Sequence, residues 1–353
     1  MARRDTDDLY AQLRRNRMRL AEAVTLHSLL AMGLSALTLH FALQAAAVGP
    51  GFWFWLVLLW LLFLLYALLR YALGGRWIFR SLVVLSPWQT DVRLTNALDA
   101  AALASGMRSR IRLFCIPNPD INSFCLSLPD GTFALFATSG IAEKLPERER
   151  VAIMAHETAH MMAGDASLYT VMLRLTGRRA LRRTVSGADM RRDRPLRVTG
   201  SISSALVFFL VALLFFDFSR NLSAMDETFR KISTASQVRF AAVLILLCLL
   251  FAVSLPPVMH KLLQLLLDRR REYAADLQAA YLSRDPEAVY LALKHAAEDV
   301  RDVMLLPACF DALLFHPVVD YTSYNPFGTQ PTMADRMRRL RDSFPRVFFE
   351  ESP

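Results

Sequence analysis

The sequence predicts a mainly α membrane protein in which four transmembrane helices carry a cytoplasmic α+β domain. Three observations lead there. Of 353 residues, 54% are hydrophobic and only 21% charged, more apolar than soluble globular chains, and mean hydropathy is +0.29. No Asp, Glu, Lys or Arg occurs in residues 23–69, a longer run than any buried helix of a water-soluble core needs. Residues 198–216 and 240–260 are also free of charge, and each is close to the ~20 residues that cross a bilayer. A purely soluble protein is excluded.

The elements follow in order. Residues 1–20 form a basic cytoplasmic segment bearing Arg3, Arg4, Arg14, Arg15, Arg17 and Arg19. Residues 21–74 are a transmembrane hairpin with spans at about 23–47 and 52–73, broken at Val48-Gly49-Pro50-Gly51, where glycine and proline favour a tight turn. A cleaved signal peptide is not expected, because roughly twenty polar residues precede the first span and a second span follows at once. Arg70 at the end of the hairpin and Arg76 and Arg80 after it place both of its ends, by expectation, in the cytoplasm. Residues 75–197 form the first part of the cytoplasmic domain, ending in a stretch, 174–197, that holds nine arginines. A second hairpin, 198–260, has spans at about 198–216 and 240–260, and Lys261, Arg269, Arg270 and Arg271 return the chain to the cytoplasm. Residues 261–353 complete the domain, leaving both termini cytoplasmic.

The balance of 41 basic against 32 acidic residues, net +9, suggests contact with anionic lipid headgroups, because the arginines flank apolar spans. No nucleic-acid partner is expected. Cys115, Cys125, Cys248 and Cys309 form no C-x-x-C pair and read as reduced, buried thiols. The Asn221-Leu222-Ser223 sequon is a pattern common by chance. His27, His40, His260 and His295 read as structural.

The chemistry sits at His156-Glu157-Thr158-Ala159-His160. Pro146 and the apolar Val151, Ile153 and Met154 point to a helix here. Residues four apart share a helix face, so both imidazoles can bind one Zn²⁺ per chain while Glu157 lies beside the fourth position. A catalytic zinc site usually needs a third protein ligand. No metzincin continuation follows, since Asp165 and no histidine comes after Gly164. Glu272 and Asp276, again four apart in Arg271-Glu272-Tyr273-Ala274-Ala275-Asp276, can supply it. Glu272 gives a His₂Glu set, and Asp276 can accept the free N–H of a ligating histidine. Taken alone, this second stretch reads more readily as an exposed helix whose carboxylates pair with neighbouring arginines; beside the H-E-x-x-H motif the ligand reading prevails.

With these motifs the sequence resembles the integral-membrane zinc metallopeptidases that include bacterial HtpX and the CAAX prenyl proteases. The likeness covers the H-E-x-x-H with Gly164-Asp165, the E-x-x-x-D of Glu272 and Asp276, Asn122-Ser123-Phe124 as an Asn-containing edge strand, and residues 133–140 as the strand and small-residue turn before the zinc helix. Four spans resemble HtpX more than the many-span prenyl proteases. The resemblance implies a gluzincin-like zincin domain in a multi-pass protein of the bacterial inner membrane. It implies an endopeptidase acting on misfolded or membrane proteins, in quality control or stress response, with polypeptide substrates contacting Asn122, Phe124 and Arg336.

One departure stands out. Family members carry a His-Pro before the arginine, whereas this chain has Gln330-Pro331 ahead of Arg336; His316-Pro317 is a possible substitute. The mechanism follows from the residues. Zinc polarises the scissile carbonyl and acidifies a water, and Glu157 takes its proton and later delivers it to the leaving amine. A substrate lying along residues 122–126 would be held by main-chain pairing with little regard to side chains; Asn122 also reads as a plain turn residue after Pro117-Asn118-Pro119-Asp120. A CAAX-type prenyl-peptide protease, a regulated signalling metalloprotease and a catalytically silent scaffold are the alternatives. The intact Glu157 speaks against the last. Oligomeric state leaves no mark on the sequence.

Overall fold

The computed structural model describes residues 91–107, 110–176, 269–299, 310, 313–317 and 330–349, with residues 14–16, 18, 19, 21, 22 and 25 of the N-terminal segment and single positions 61 and 78. The expected spans fall almost wholly outside the described residues, as does nearly all of the arginine-rich stretch. Among the described residues no helix is long and apolar enough to cross a membrane. What is described is a mixed α/β domain.

Helix α1 (Val92–Ser105) starts where Asp91 accepts a hydrogen bond from Arg93 N and stops at Gly106, whose φ of 72° only glycine adopts freely. Three strands follow, β1 (Ile111–Ile116), β2 (Ser123–Ser127) and β3 (Phe133–Thr138), in the order β1-β3-β2. β1 runs parallel to β3 with Ile111 opposite Phe133; β2 runs antiparallel to it with Ser123 opposite Ala137. β2 is therefore an edge strand among the described residues.

Alternation along the strands divides two cores. Phe114, Phe124 and Phe136 stack across one face at centroid distances of 5.0 and 4.8 Å, joined by Tyr169, Met172, Leu173 and Phe310. Cys115, Cys125, Leu135 and Ala137 face the other way, into the larger core shared with the helices.

Helix α2 (Ser139–Lys144) leads into α3 (Glu147–Ala163), followed by α4 (Asp165–Thr176). α3 is buried on nearly every side from Ala152 onward. That is possible because Ala152, Ala155, Ala159 and Ala163 let neighbours approach closely. Gly164, at φ 78°, ends it by donating to His160 O and Met161 O and turning the chain sharply into α4. After the undescribed segment come α5 (Arg270–Ser283), α6 (Pro286–Glu298), α7 (Met333–Ser343) and α8 (Pro345–Phe349). α5 and α6 pack on α3, and α7 packs on α5 and α6. His295 Nδ1 lies 2.7 Å from the buried Glu149 carboxylate, tying α6 to α3.

The loop before β2 is held by the start of α2. Gly140 N donates to Asn118 O at 2.9 Å, Ser139 Oγ to the same oxygen at 3.0 Å, and Asn122 N to Thr138 Oγ1 at 3.0 Å. A Cβ on Gly140 would fall on the carbonyl oxygens of Pro119 and Asp120. Gly140→Ala is accordingly expected to destabilise the domain by about 1–3 kcal/mol, since backbone must move to admit it. Chemical unfolding at wild-type stability would contradict this tight approach.

Candidate metal centre

α3 and α5 lie side by side and bring three buried donors to one point. His156 Nε2 and His160 Nε2 are 3.1 Å apart, and each is 3.6 Å from Glu272 Oε2. Tetrahedral zinc with N and O bonds of about 2.0–2.2 Å holds its ligand atoms roughly 3.4 Å from one another. The three separations match that spacing, so the residues fit the ion, and among the described residues this is the group able to hold one.

Electrostatics points the same way. Burial works against charge on His160, but Glu272 and Asp165 outweigh it and push its pKa up to about 10. Burial likewise opposes charge on Glu272, yet His160, His156 and Arg271 hold its pKa well below the usual carboxylate range. The carboxylates demand a positive charge where the donors converge.

A second layer fixes the imidazoles. His156 Nδ1 lies 2.9 Å from Asp276 Oδ1, and His160 Nδ1 lies 2.8 Å from Asp165 Oδ2. Each Nδ1–H donates to its carboxylate, which leaves each Nε2 lone pair for a metal. Both carboxylates are gripped from behind. Arg336, 1% exposed, donates Nε and Nη2 to Asp276 at 2.8 and 2.6 Å; burial raises the Asp276 pKa, but Arg336 outweighs it and the net shift is downward. Asp165 accepts from Asn16 Nδ2 at 2.7 Å.

Glu157 is 1% exposed. Ser123 Oγ donates to its Oε1 at 2.7 Å, while Oε2 has no hydrogen-bond partner among the described residues. One oxygen is thus held and the other is open for proton transfer. A small cavity at this point is lined by Cys125, Glu157, His160, Asp165, Arg271 and Glu272.

The residues expected to meet substrate are placed differently from one another. Asn122 lies beside the centre, its Nδ2 donating to His316 O at 2.7 Å and its Oδ1 accepting from His316 N at 3.1 Å. Phe124 is fully buried, stacked on Phe136 with Phe310 tilted against it, on the sheet face turned away from Ser123 and Glu157. Arg336 is enclosed rather than exposed to a ligand: Nη1 donates to Phe315 O at 2.7 Å, and the guanidinium lies over the Phe315 ring. Gln330 Nε2 donates to Leu314 O at 2.8 Å.

Residues 314–316 thus lie against β2, where Phe315 N donates to Ser123 O at 2.9 Å. Its Phe315 ring packs edge-on to His156, 5.0 Å between centroids. Sequence reasoning missed Ser123 and Phe315 as neighbours of the centre and Asp165 as the partner of His160. The Gly164-Asp165 pair was visible, but only the reversal of the chain at Gly164 turns that carboxylate back onto His160.

The profile described as Peptidase family M48 matches residues 89–343, well over half of the chain. Among curated relatives, a protein named protease HtpX homolog from Acidiphilium cryptum is 29% identical over 254 residues, 70% of this chain and 73% of its own length. Proteins of the same name from Acaryochloris marina (26% over 274 residues, 75% and 79%) and Dictyoglomus thermophilum (25% over 248 residues, 70% and 68%) are also similar. No solved structure matches.

Proposed function

The chain belongs to peptidase family M48 and is a metallopeptidase, and from that premise we propose that it is a membrane-embedded, zinc-dependent endopeptidase that cuts misfolded or membrane proteins at the cytoplasmic face. The observation that carries the chemistry is the convergence of His156, His160 and Glu272 beside a carboxylate, Glu157, that has one oxygen held and one open. The similarity to HtpX homologs and the uncharged runs of the sequence support the membrane location.

An ion held by the three donors would supply Lewis acidity, polarising the scissile carbonyl and making the attacking water acidic. Glu157 takes a proton from that water through Oε2 as the C–O bond forms, and returns it to the amine as the C–N bond breaks. Ser123 keeps the carboxylate from rotating away. Asp276 and Asp165 keep both imidazoles in the ligating tautomer.

Substrate would add to the outer edge of β2. That edge already takes a main-chain contact from this chain, since Phe315 N donates to Ser123 O and the Asn122 amide grips the His316 backbone in both directions. A substrate segment taking the place of residues 314–316 would be recognised through its main chain, whatever its side chains. Arginines beside the spans, each worth about 1 kcal/mol near an anionic leaflet, would hold the domain close to that surface.

The test offers purified protein an unfolded soluble protein, a membrane protein and a farnesylated C-terminal peptide in parallel. Cleavage of the first two is expected. Efficient cutting of the farnesylated peptide alone would move the chain to the prenyl-peptide proteases.

A further inference from the structure

We propose that Asn16 is a positioning residue of the metal centre: acting through Asp165, it fixes the His160 imidazole, so that metal retention depends on docking of the N-terminal segment against the end of the zinc helix. This rests on the reading of His156, His160 and Glu272 as a metal site.

Asn16 sits in the basic N-terminal segment, far from the residues that match the family, which begin at 89. Its helical neighbours Arg14 and Arg15 are exposed, whereas Asn16 is 6% exposed. A lone amide turned inward from a basic, exposed segment needs a partner there. It has two: Nδ2 donates to Ala163 O at 2.8 Å and to Asp165 Oδ1 at 2.7 Å. The first is a carbonyl in the last turn of α3, the kind of acceptor a helix leaves open at its C-terminal end. The second is the carboxylate whose other oxygen meets His160 Nδ1. One side chain thus closes the end of the zinc helix and holds the carboxylate that orients a ligand of that helix.

The two histidines are supported in parallel ways that differ in charge. Asp276 behind His156 is gripped by a guanidinium, which neutralises it. The Asn16 amide is neutral and leaves the Asp165 charge to act on His160. The bond to Ala163 O anchors the amide, and the other hydrogen of the same nitrogen holds Asp165 Oδ1. Without Asn16, Asp165 Oδ1 loses this donor, and the carboxylate that orients the His160 ring is held less firmly. The arginine-rich segment expected at the leaflet surface would thereby reach the metal centre through a single side chain.

The experiment uses the full chain purified in detergent, with zinc release to a chelator and the visible spectrum of the cobalt-substituted protein as readouts. Asn16→Leu, which removes both donors, is expected to speed zinc release about 10-fold, within the 10–100-fold range for outer partners of metal ligands, and to shift the cobalt bands. Asn16→Asp keeps the shape but turns an oxygen towards Asp165, and is expected to release zinc at least as fast. Added to Asp165→Asn, either change should have no further effect on release.

Release within twofold of wild type in both variants, or effects that add to Asp165→Asn, would overturn the proposal, as would a lowered unfolding temperature with an unchanged cobalt spectrum. Absence of zinc from the wild-type protein would instead overturn the metal site itself. If Asn16→Leu fails to fold, Asn16→Asp decides.

Discussion

Glu157→Gln is expected to keep zinc near one ion per chain while hydrolysis falls by about 10³–10⁴-fold, the range in which a lost general base lies. The amide keeps the shape and can still accept from Ser123 Oγ, which now bonds Oε1 at 2.7 Å. It cannot take a proton at the other position. Glu272→Gln should behave differently: Glu272 Oε2 is one of the three converging donors, so zinc and activity should be lost together. Metal content by atomic absorption beside a peptide-hydrolysis assay separates the two. Wild-type rates in Glu157→Gln would refute the assignment of the base.

Arg336→Met is expected to destabilise the domain by about 3–5 kcal/mol, the cost of leaving a buried carboxylate without its partner. The volume is nearly conserved, so the effect isolates the guanidinium. That group serves Asp276 through two nitrogens, gives Nη1 to Phe315 O, and lies 3.7 Å from Glu272 Oε2. Its removal strands an acid behind His156 and frees the segment on β2. Unfolding followed on the zinc-loaded and zinc-free protein should show the loss in both forms. A loss below about 1 kcal/mol would mean that Asp276 finds another partner, contrary to its enclosure.

Some of the site was legible because its pattern is local. His156 and His160 are four apart on a helix, as are Glu272 and Asp276, and that spacing alone places each pair on one face. The charge-free runs likewise declare their length to any reader of the sequence. Asp276 was legible as a histidine's partner because the spacing put it one turn beyond the third donor.

Other roles depend on how separate pieces pack. Nothing local tells Arg336 from the five other arginines after residue 300; its burial against Asp276 is set by α7 lying on α5. Phe124 looked like a residue for substrate because it follows Asn122, but alternation in β2 turns it into the aromatic stack, while Ser123 faces Glu157. Residues 314–316 carry no strand signature, and their partners, Ser123, Asn122, Gln330 and Arg336, come from distant parts of the chain.

What the sequence by itself determined is therefore the donor chemistry and its helical spacing, which depend on 3.6 residues per turn and on nothing distant. The tertiary structure decided which carboxylate stands behind which imidazole, how Glu157 is held, and that Asn16 reaches Asp165 across 149 positions of chain. Those pairings are set by the burial of whole helix faces against one another, a free energy spread over many side chains and written in no single stretch of sequence.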